Sequence, residues 1–315
     1  MKRFLLLLTA VAVALAAVAC AVEPLADVSA PEGGAPVAVS FDIGLQGALT
    51  KADGTPLDNG SGDFQLYVAA FDKEDGTLAS ESQIGVEGYA DPATLSGGAA
   101  SIKLTLDKKR SYRVVFFAMK AGAYTTSFSN NNSARIVISQ KNLANDASMD
   151  AFYASVDVTP AKTSYDIELK RPFAQLNVLV PNGNVPEGKT AFKSAMKVKM
   201  PILFDLYSGR ASETLAEVTF EANAIDAPAF GDYAGTHQWI GMNYVIVPAG
   251  GEVEVTSFQE DGMGAAIVPG KVPVQANQRT NLVGSLYEAG FDLSVTVEID
   301  PGIDDPEIIL EHKVP

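Results

Sequence analysis

The amino-acid sequence predicts an all-β protein made of two β-sandwich domains in tandem. Apolar and polar residues alternate with period two through most of the chain. In Phe291-Asp292-Leu293-Ser294-Val295-Thr296-Val297-Glu298-Ile299 the alternation puts five apolar side chains on one face of a strand. Turn-forming clusters separate such runs at strand-length intervals. The roughly 295 residues that follow position 19 exceed what one hydrophobic core usually serves, which gives the count of two.

The first predicted strand is Val37 to Leu45, with Val37, Val39, Phe41, Ile43 and Leu45 on one face. Runs of the same kind follow at Phe64 to Phe71, Ala99 to Leu106, Tyr112 to Met119, Ala134 to Ile138, Phe152 to Val158 and Tyr165 to Val180. Asp53-Gly54-Thr55-Pro56, Asp75-Gly76, Ser96-Gly97-Gly98 and Ser129-Asn130-Asn131-Asn132 punctuate them. About seven strands at this spacing make one sandwich. In the second half the candidates are Lys193 to Met200, Ile202 to Tyr207, Glu217 to Ala222, Trp239 to Val247, Val253 to Phe258, Ala265 to Val268, Val272 to Ala276 and Thr280 to Tyr287. Between the halves, Pro181-Asn182-Gly183-Asn184-Val185-Pro186-Glu187-Gly188 is the stretch richest in breakers and is read as the domain boundary, with a cut near Thr159-Pro160 as the fallback. The sandwiches then span 37–180 and 189–300, and 301–315 is a tail. Helix periodicity is absent outside the N-terminus, although Lys141 to Phe152 has room for one or two turns.

The N-terminus reads as an export signal. Lys2 and Arg3 are a positive start, Phe4 to Ala16 is an apolar run too short to span a bilayer, and Ala17-Val18-Ala19 closes it with small residues before Cys20. Cys20 is the one cysteine of the chain. A lone thiol directly after such a run is the arrangement in which lipoprotein processing alkylates the sulfur and cleaves before it, so residues 1–19 are the signal and Cys20 the lipid-bearing start. Several acyl chains anchor durably, since each buried methylene is worth roughly 0.8 kcal/mol. Ordinary cleavage after Ala19, leaving a free thiol, is the other reading. Residues 20–36 form a tether rich in Pro, Ala, Glu and Gly.

Composition narrows the function classes. The formal charge is −15, and about −17 once Lys2 and Arg3 are gone; with no basic stripe to follow a phosphate backbone, nucleic acid is not an expected partner. Two histidines, His237 and His312, and one thiol cannot assemble a zinc cluster or a Cys-His pair. Thr236-His237-Gln238-Trp239 has no nucleophile elbow beside it. Paired carboxylates for glycoside hydrolysis can be drawn from any chain this acidic and carry no specificity. The carboxylates at Asp300 to Glu307 and at Asp72 to Gly76 lack the register of a calcium loop. The expectation is a protein that is not an enzyme and takes no cofactor or metal.

Four blocks carry a family resemblance: Tyr112-Arg113-Val114-Val115-Phe116-Phe117-Ala118, Met149-Asp150-Ala151-Phe152-Tyr153, Leu169-Lys170-Arg171-Pro172-Phe173-Ala174-Gln175-Leu176-Asn177-Val178, and the run from Val272 through Asn277-Gln278-Arg279-Thr280-Asn281 to Leu286. They resemble the fimbrillin-type surface lipoproteins of Bacteroidetes, the last two most specifically and in matching order and separation. The resemblance implies two transthyretin-like β-sandwiches in a stalk, tip or anchor subunit of a cell-surface fimbria, held to the outer membrane by lipid at Cys20, with other fimbrial subunits or itself as partners and a host or bacterial surface receptor beyond. Read from the residues alone, Arg171 beside Pro172 marks a strand bend or edge, Phe173, Leu176 and Val178 are core, and Asn277, Asn281 and Gly284 are turn and bulge residues.

The mechanism that the resemblance implies is strand donation. A protease cuts after a basic residue near the first strand, and the vacated groove accepts a strand from the next subunit. Lys51 is the first basic residue after the signal, so the cut falls between Lys51 and Ala52; a solvated loop lysine is the alternative, and an anchor subunit stays uncut. Ile308, Ile309 and Leu310 in the tail are the expected donor segment. A function of a different class also fits, a monomeric surface lipoprotein whose sandwiches bind glycan or host protein. Replacing Cys20→Ser removes the acylation site, and fractionation of cells should then find the protein released from the membrane; unchanged partitioning into detergent contradicts the assignment.

Overall fold

The computed structural model describes residues 34–45, 64–86, 89–225, 233, 235–288, 293–298 and 312–313. Cys20, Lys51, Ala52, Ile308, Ile309 and Leu310 lie outside them. In chain order the strands are β1 (Pro36–Leu45), β2 (Phe64–Asp72), β3 (Ala93–Leu95), β4 (Ala99–Asp107), β5 (Tyr112–Met119), β6 (Thr125–Ser129), β7 (Ser133–Val137), β8 (Lys141–Leu143), β9 (Ala151–Val158) and β10 (Ser164–Leu169). They continue with β11 (Phe173–Pro181), β12 (Phe192–Pro201), β13 (Leu203–Asp205), β14 (Arg210–Ala211), β15 (Leu215–Ile225), β16 (His237–Ile246), β17 (Glu252–Glu260), β18 (Gly270–Pro273), β19 (Arg279–Gly284), β20 (Leu293–Glu298) and β21 (His312–Lys313). The protein is all-β. Its helical content among the described residues is short 3-10 turns such as Ala147–Met149, which occupies the stretch where one or two turns are expected.

Sequence alternation dictates the first sandwich. Sheet β10-β1-β4 faces sheet β3-β2-β5-β9, and the inward residues of both, Phe41, Leu66, Leu104, Phe116 and Phe152 among them, form one apolar cluster. β5 is buried along nearly its whole length because its second face is covered too. Val115, Phe117 and Met119 look away from β1, toward sheet β14-β13-β7-β6 and a second cluster that also contains Ile136 and Phe204. The expected turns close these strands: Gly97 and Gly98 link β3 to β4, and Asn131 and Asn132, at φ 67° and 56°, link β6 to β7. The second sandwich packs sheet β16-β11-β19-β20-β21 on sheet β18-β17-β12-β15-β8. Gly241 of β16 sits where an added Cβ would be 2.8 Å from the Phe258 ring of the facing sheet, so the two layers close over a glycine.

Sheet pairing differs from the expected organisation in one important place. The run Tyr165 to Val180 is two strands, β10 and β11, broken at Lys170-Arg171-Pro172, where proline cannot donate to a ladder. β11 pairs with β16 and β19 of the second half. The sheets therefore part at residues 170–172, and the breaker-rich stretch 181–189 links two layers of the second sandwich through the 3-10 turn Asn182–Asn184. Strands also cross between the halves: β7 pairs with β13, and β8 with β15. The described residues all fall in one compact unit.

Arg171 at the break is not an edge residue. Its guanidinium donates from Nε and Nη2 to both carboxylate oxygens of Asp150, at 2.7 and 2.8 Å, and lies 4.4 Å from the Phe152 ring centroid. Both charges are buried, at 5% and 0% exposure. Removing one partner strands the other in a low-dielectric interior. Arg171→Met should cost about 3–5 kcal/mol in urea unfolding, and the double change Asp150→Leu with Arg171→Met should recover most of that loss. Equal losses in the single and double variants contradict this account.

Candidate functional site

The candidate site is the slot that β1 fills. Its alternating sequence allows only one useful orientation, apolar side inward, and the structure adopts it. Val39, Phe41 and Ile43 are buried at 0, 0 and 3% exposure, while Val37 and Leu45 are partly buried against the same cluster. β1 is the central strand of its sheet. It runs antiparallel to β4 from Pro36 to Gly44 and parallel to β10 from Ser40 to Leu45, with Phe41 opposite Ile102 on one side and Tyr165 on the other. The Phe41 ring lies 5.5 Å from Tyr165, stacked, and 5.3 Å from Phe116 of the facing sheet, tilted by 57°. Burying three side chains of this kind is worth about 5–9 kcal/mol.

Both ends of β1 are fixed by hydrogen bonds. The amide of Gly34 donates to Asp107 Oδ2 at 2.8 Å, and an added Cβ at this residue would lie 2.3 Å from Asp107 Oδ1, so glycine is required for the approach. At the other end Leu45 N–H donates to the Gly98 carbonyl at 3.0 Å. Taking β1 away would leave β4 and β10 about 10 Å apart, two strand spacings, with unpaired edges on both sides and a bared apolar floor. A slot of that width accepts one extended strand.

A second feature explains the family-like motifs. β11 and β19, 104 residues apart in sequence at bonded positions, run parallel in the register Gln175–Arg279, Leu176–Thr280, Asn177–Asn281. Arg279 Nε donates to Gln175 Oε1 at 3.1 Å, Gln175 Nε2 donates to the Tyr244 hydroxyl at 3.3 Å, and Asn177 Nδ2 donates to Asn281 Oδ1 at 2.9 Å. All five residues are buried. Burial first, then the charge of Asp150, pushes the Tyr244 hydroxyl well above its ordinary pKa, so it remains a neutral partner. Asn281 is thus a buried rung of a polar ladder and not a turn or bulge residue, whereas Asn277, at φ 60°, does sit in a turn. The signal for the ladder was the polar side chains spaced by two in otherwise apolar strands, which is costly unless they are paired.

Chemistry-bearing residues are scattered. His237 opens β16, its Nδ1 2.8 Å from Thr236 Oγ1 and the Tyr233 ring edge-on at 4.8 Å; partial burial lowers its pKa. Among the described residues no three of His, Cys, Asp and Glu come together as a metal would require. No described helix is long and apolar enough to cross a membrane.

A family model described as a family of unknown function, DUF6562, matches residues 32–313. None of the curated proteins compared with the chain matches it. Among solved structures, the chain is similar to the fimbrial anchor protein Mfa2 of Porphyromonas gingivalis, at 14% identity and a TM-score of 0.45, covering 84% of this chain and 97% of that one. A fimbrial assembly protein of Parabacteroides distasonis matches at 12% identity and a TM-score of 0.41, over 83% and 96% of the two chains. An adhesin candidate of Bacteroides ovatus matches at 11% identity and 0.48, over 89% and 96%. Phe41→Ala should remove the ring that closes the slot and lower unfolding stability by about 3–5 kcal/mol, read by urea titration; a change under 1 kcal/mol contradicts a central role for it.

Proposed function

We propose that this chain, which belongs to the family of unknown function DUF6562, is a structural or adhesive subunit of a cell-surface fimbria, anchored to the outer membrane through lipid at Cys20 and joined to its neighbours by strand donation. The observation that carries the reading is the placement of β1. It is the first described strand, it is hydrogen-bonded on both sides, and its apolar face packs into the core of the first sandwich. Such a strand can be replaced by another of the same pattern without disturbing the facing sheet. The incoming segment restores both hydrogen-bond ladders and seats alternate side chains where Val39, Phe41 and Ile43 lie. The resemblance of the Arg171-to-Val178 and Asn277-to-Gly284 blocks to fimbrillin-type proteins agrees with this mechanism.

Other partners in the reading are further fimbrial subunits and a surface receptor. A monomer that captures glycan draws less support, because Trp239, the single tryptophan, is buried at 5% exposure and offers no flat ring to a sugar. Processing after Lys51 frees the N-terminal piece, and the tail beyond residue 305 supplies the donor. Changing Lys51→Ala should trap full-length monomer on the cell surface, and deleting residues 306–315 should abolish heat-resistant ladders on gels while leaving the monomer folded. Ladders that persist in both variants overturn the assignment of Lys51 and of the tail.

A further inference from the structure

The outward side of the β1 slot carries a charge pattern that β1 itself opposes. Asp166 and Glu168 project outward from β10. In the register of the pair, Asp42 of β1 stands opposite Asp166, and Gly44 opposite Glu168. Like charges directly opposite one another in a sheet disfavour pairing. On the β4 side, Asp42 faces Ser101, Gly44 faces Ala99, and Lys103, the cation of β4, stands at the level of Ser40. That places Lys103 about 13 Å along the strand from Gly44, beyond the reach of an exposed charge in physiological salt. Glu168 is 3.8 Å from Lys170, in a pair exposed on both sides.

Gly44 leaves space where the acidic residues meet. A shallow depression of about 690 Å³ lies over it, rimmed by Asp42, Ala99, Ser101, Asp166 and Glu168. A Cβ added at Gly44 would meet nothing within 4 Å, and the backbone there is outside the left-handed region, so any L-residue fits. The position opposite Glu168 thus has a vacancy beside two carboxylates, Asp166 and Glu168, whose nearby cation is Lys170 in an exposed pair with Glu168, and β1 fills that vacancy with no side chain.

We propose that the slot selects a donor strand from another subunit with apolar residues at alternate inward positions and a lysine or arginine at the position that Gly44 occupies. A long basic side chain there would lie in the depression, directly opposite Glu168 and diagonal to Asp166. Asp166 and Glu168 are then specificity-determining residues, and a strand so equipped displaces β1 because it turns a repulsive seam into an attractive one. This inference rests on the strand-exchange reading above.

The test uses the full chain with a protease site placed within residues 46–63 and cut after folding, so that β1 is held without a covalent link. Peptides of residues 36–45, unchanged or carrying Gly44→Lys, Gly44→Ala or Gly44→Glu, compete for the slot, and release of the native β1 fragment is read by native mass spectrometry. The Gly44→Lys peptide should act at about 3- to 10-fold lower concentration than the Gly44→Ala peptide, and the Gly44→Glu peptide at higher concentration. The contrast should shrink in about 0.5 M salt and in a chain carrying Asp166→Asn with Glu168→Gln. Equal competition by the Lys and Glu peptides, or a contrast that survives in the neutralised chain, overturns the charge selection and leaves strand exchange standing. Failure of every peptide, the unchanged one included, overturns the exchange reading and the selection with it.

Discussion

Phe41 sits where the first sandwich closes. Its ring touches Tyr165 of the neighbouring strand and Phe116 of the opposite sheet, and its backbone belongs to the strand that bonds β4 to β10. Sheet and core are therefore held by the same ten residues. Without them two strand edges and an apolar floor would face water together, a combined penalty that one extended strand of the same pattern would remove. The same constraint accounts for Gly34 and Leu45, whose hydrogen bonds hold the ends of β1 in register.

The remainder of the chain supports that strand from a distance. β5 presents Phe116 to β1 on one face and Phe117 to the second apolar cluster on the other, so packing passes through a single strand from one sandwich to the next. Arg171 and Asp150 lie at the break between β10 and β11, where the chain leaves the slot sheet for the second sandwich. Beyond the break, the Gln175–Arg279 and Asn177–Asn281 rungs set the register of a parallel pair whose apolar residues alone would tolerate a shift. The polar residues that look least suited to a core are the ones that specify its alignment.

Much of this was legible from residue pattern. β1, β2, β4 and β5 each have a strongly apolar face and were located to within a residue or so, and Asn131 and Asn132 marked a real hairpin. The division at 170–172 was hidden because the alternating stretch Tyr165 to Leu169 is followed, after only Lys170-Arg171-Pro172, by β11, which is buried on both faces, and period two is lost in such a strand. β8, β14 and β21, of three, two and two residues, are too short to have a period at all. Ala265 to Val268 is not a strand; Ile267 makes only an isolated bridge to Phe258. In the site, the alternation of β1 was visible, but its parallel partner β10 lies more than a hundred residues away and no local signal pairs them. The opposition of Asp42 to Asp166 follows from that pairing and was invisible for the same reason.

The central claim is that β1 must leave the slot for subunits to join. Ser40 of β1 and Lys103 of β4 are register partners on the outward face, at a separation suited to a disulfide, so Ser40→Cys with Lys103→Cys can lock the strand in place reversibly. Surface protein carrying both changes should run as a monomer when oxidised and form heat-resistant ladders when the bond is reduced during assembly. Ladders of equal extent with β1 locked to β4 contradict the account.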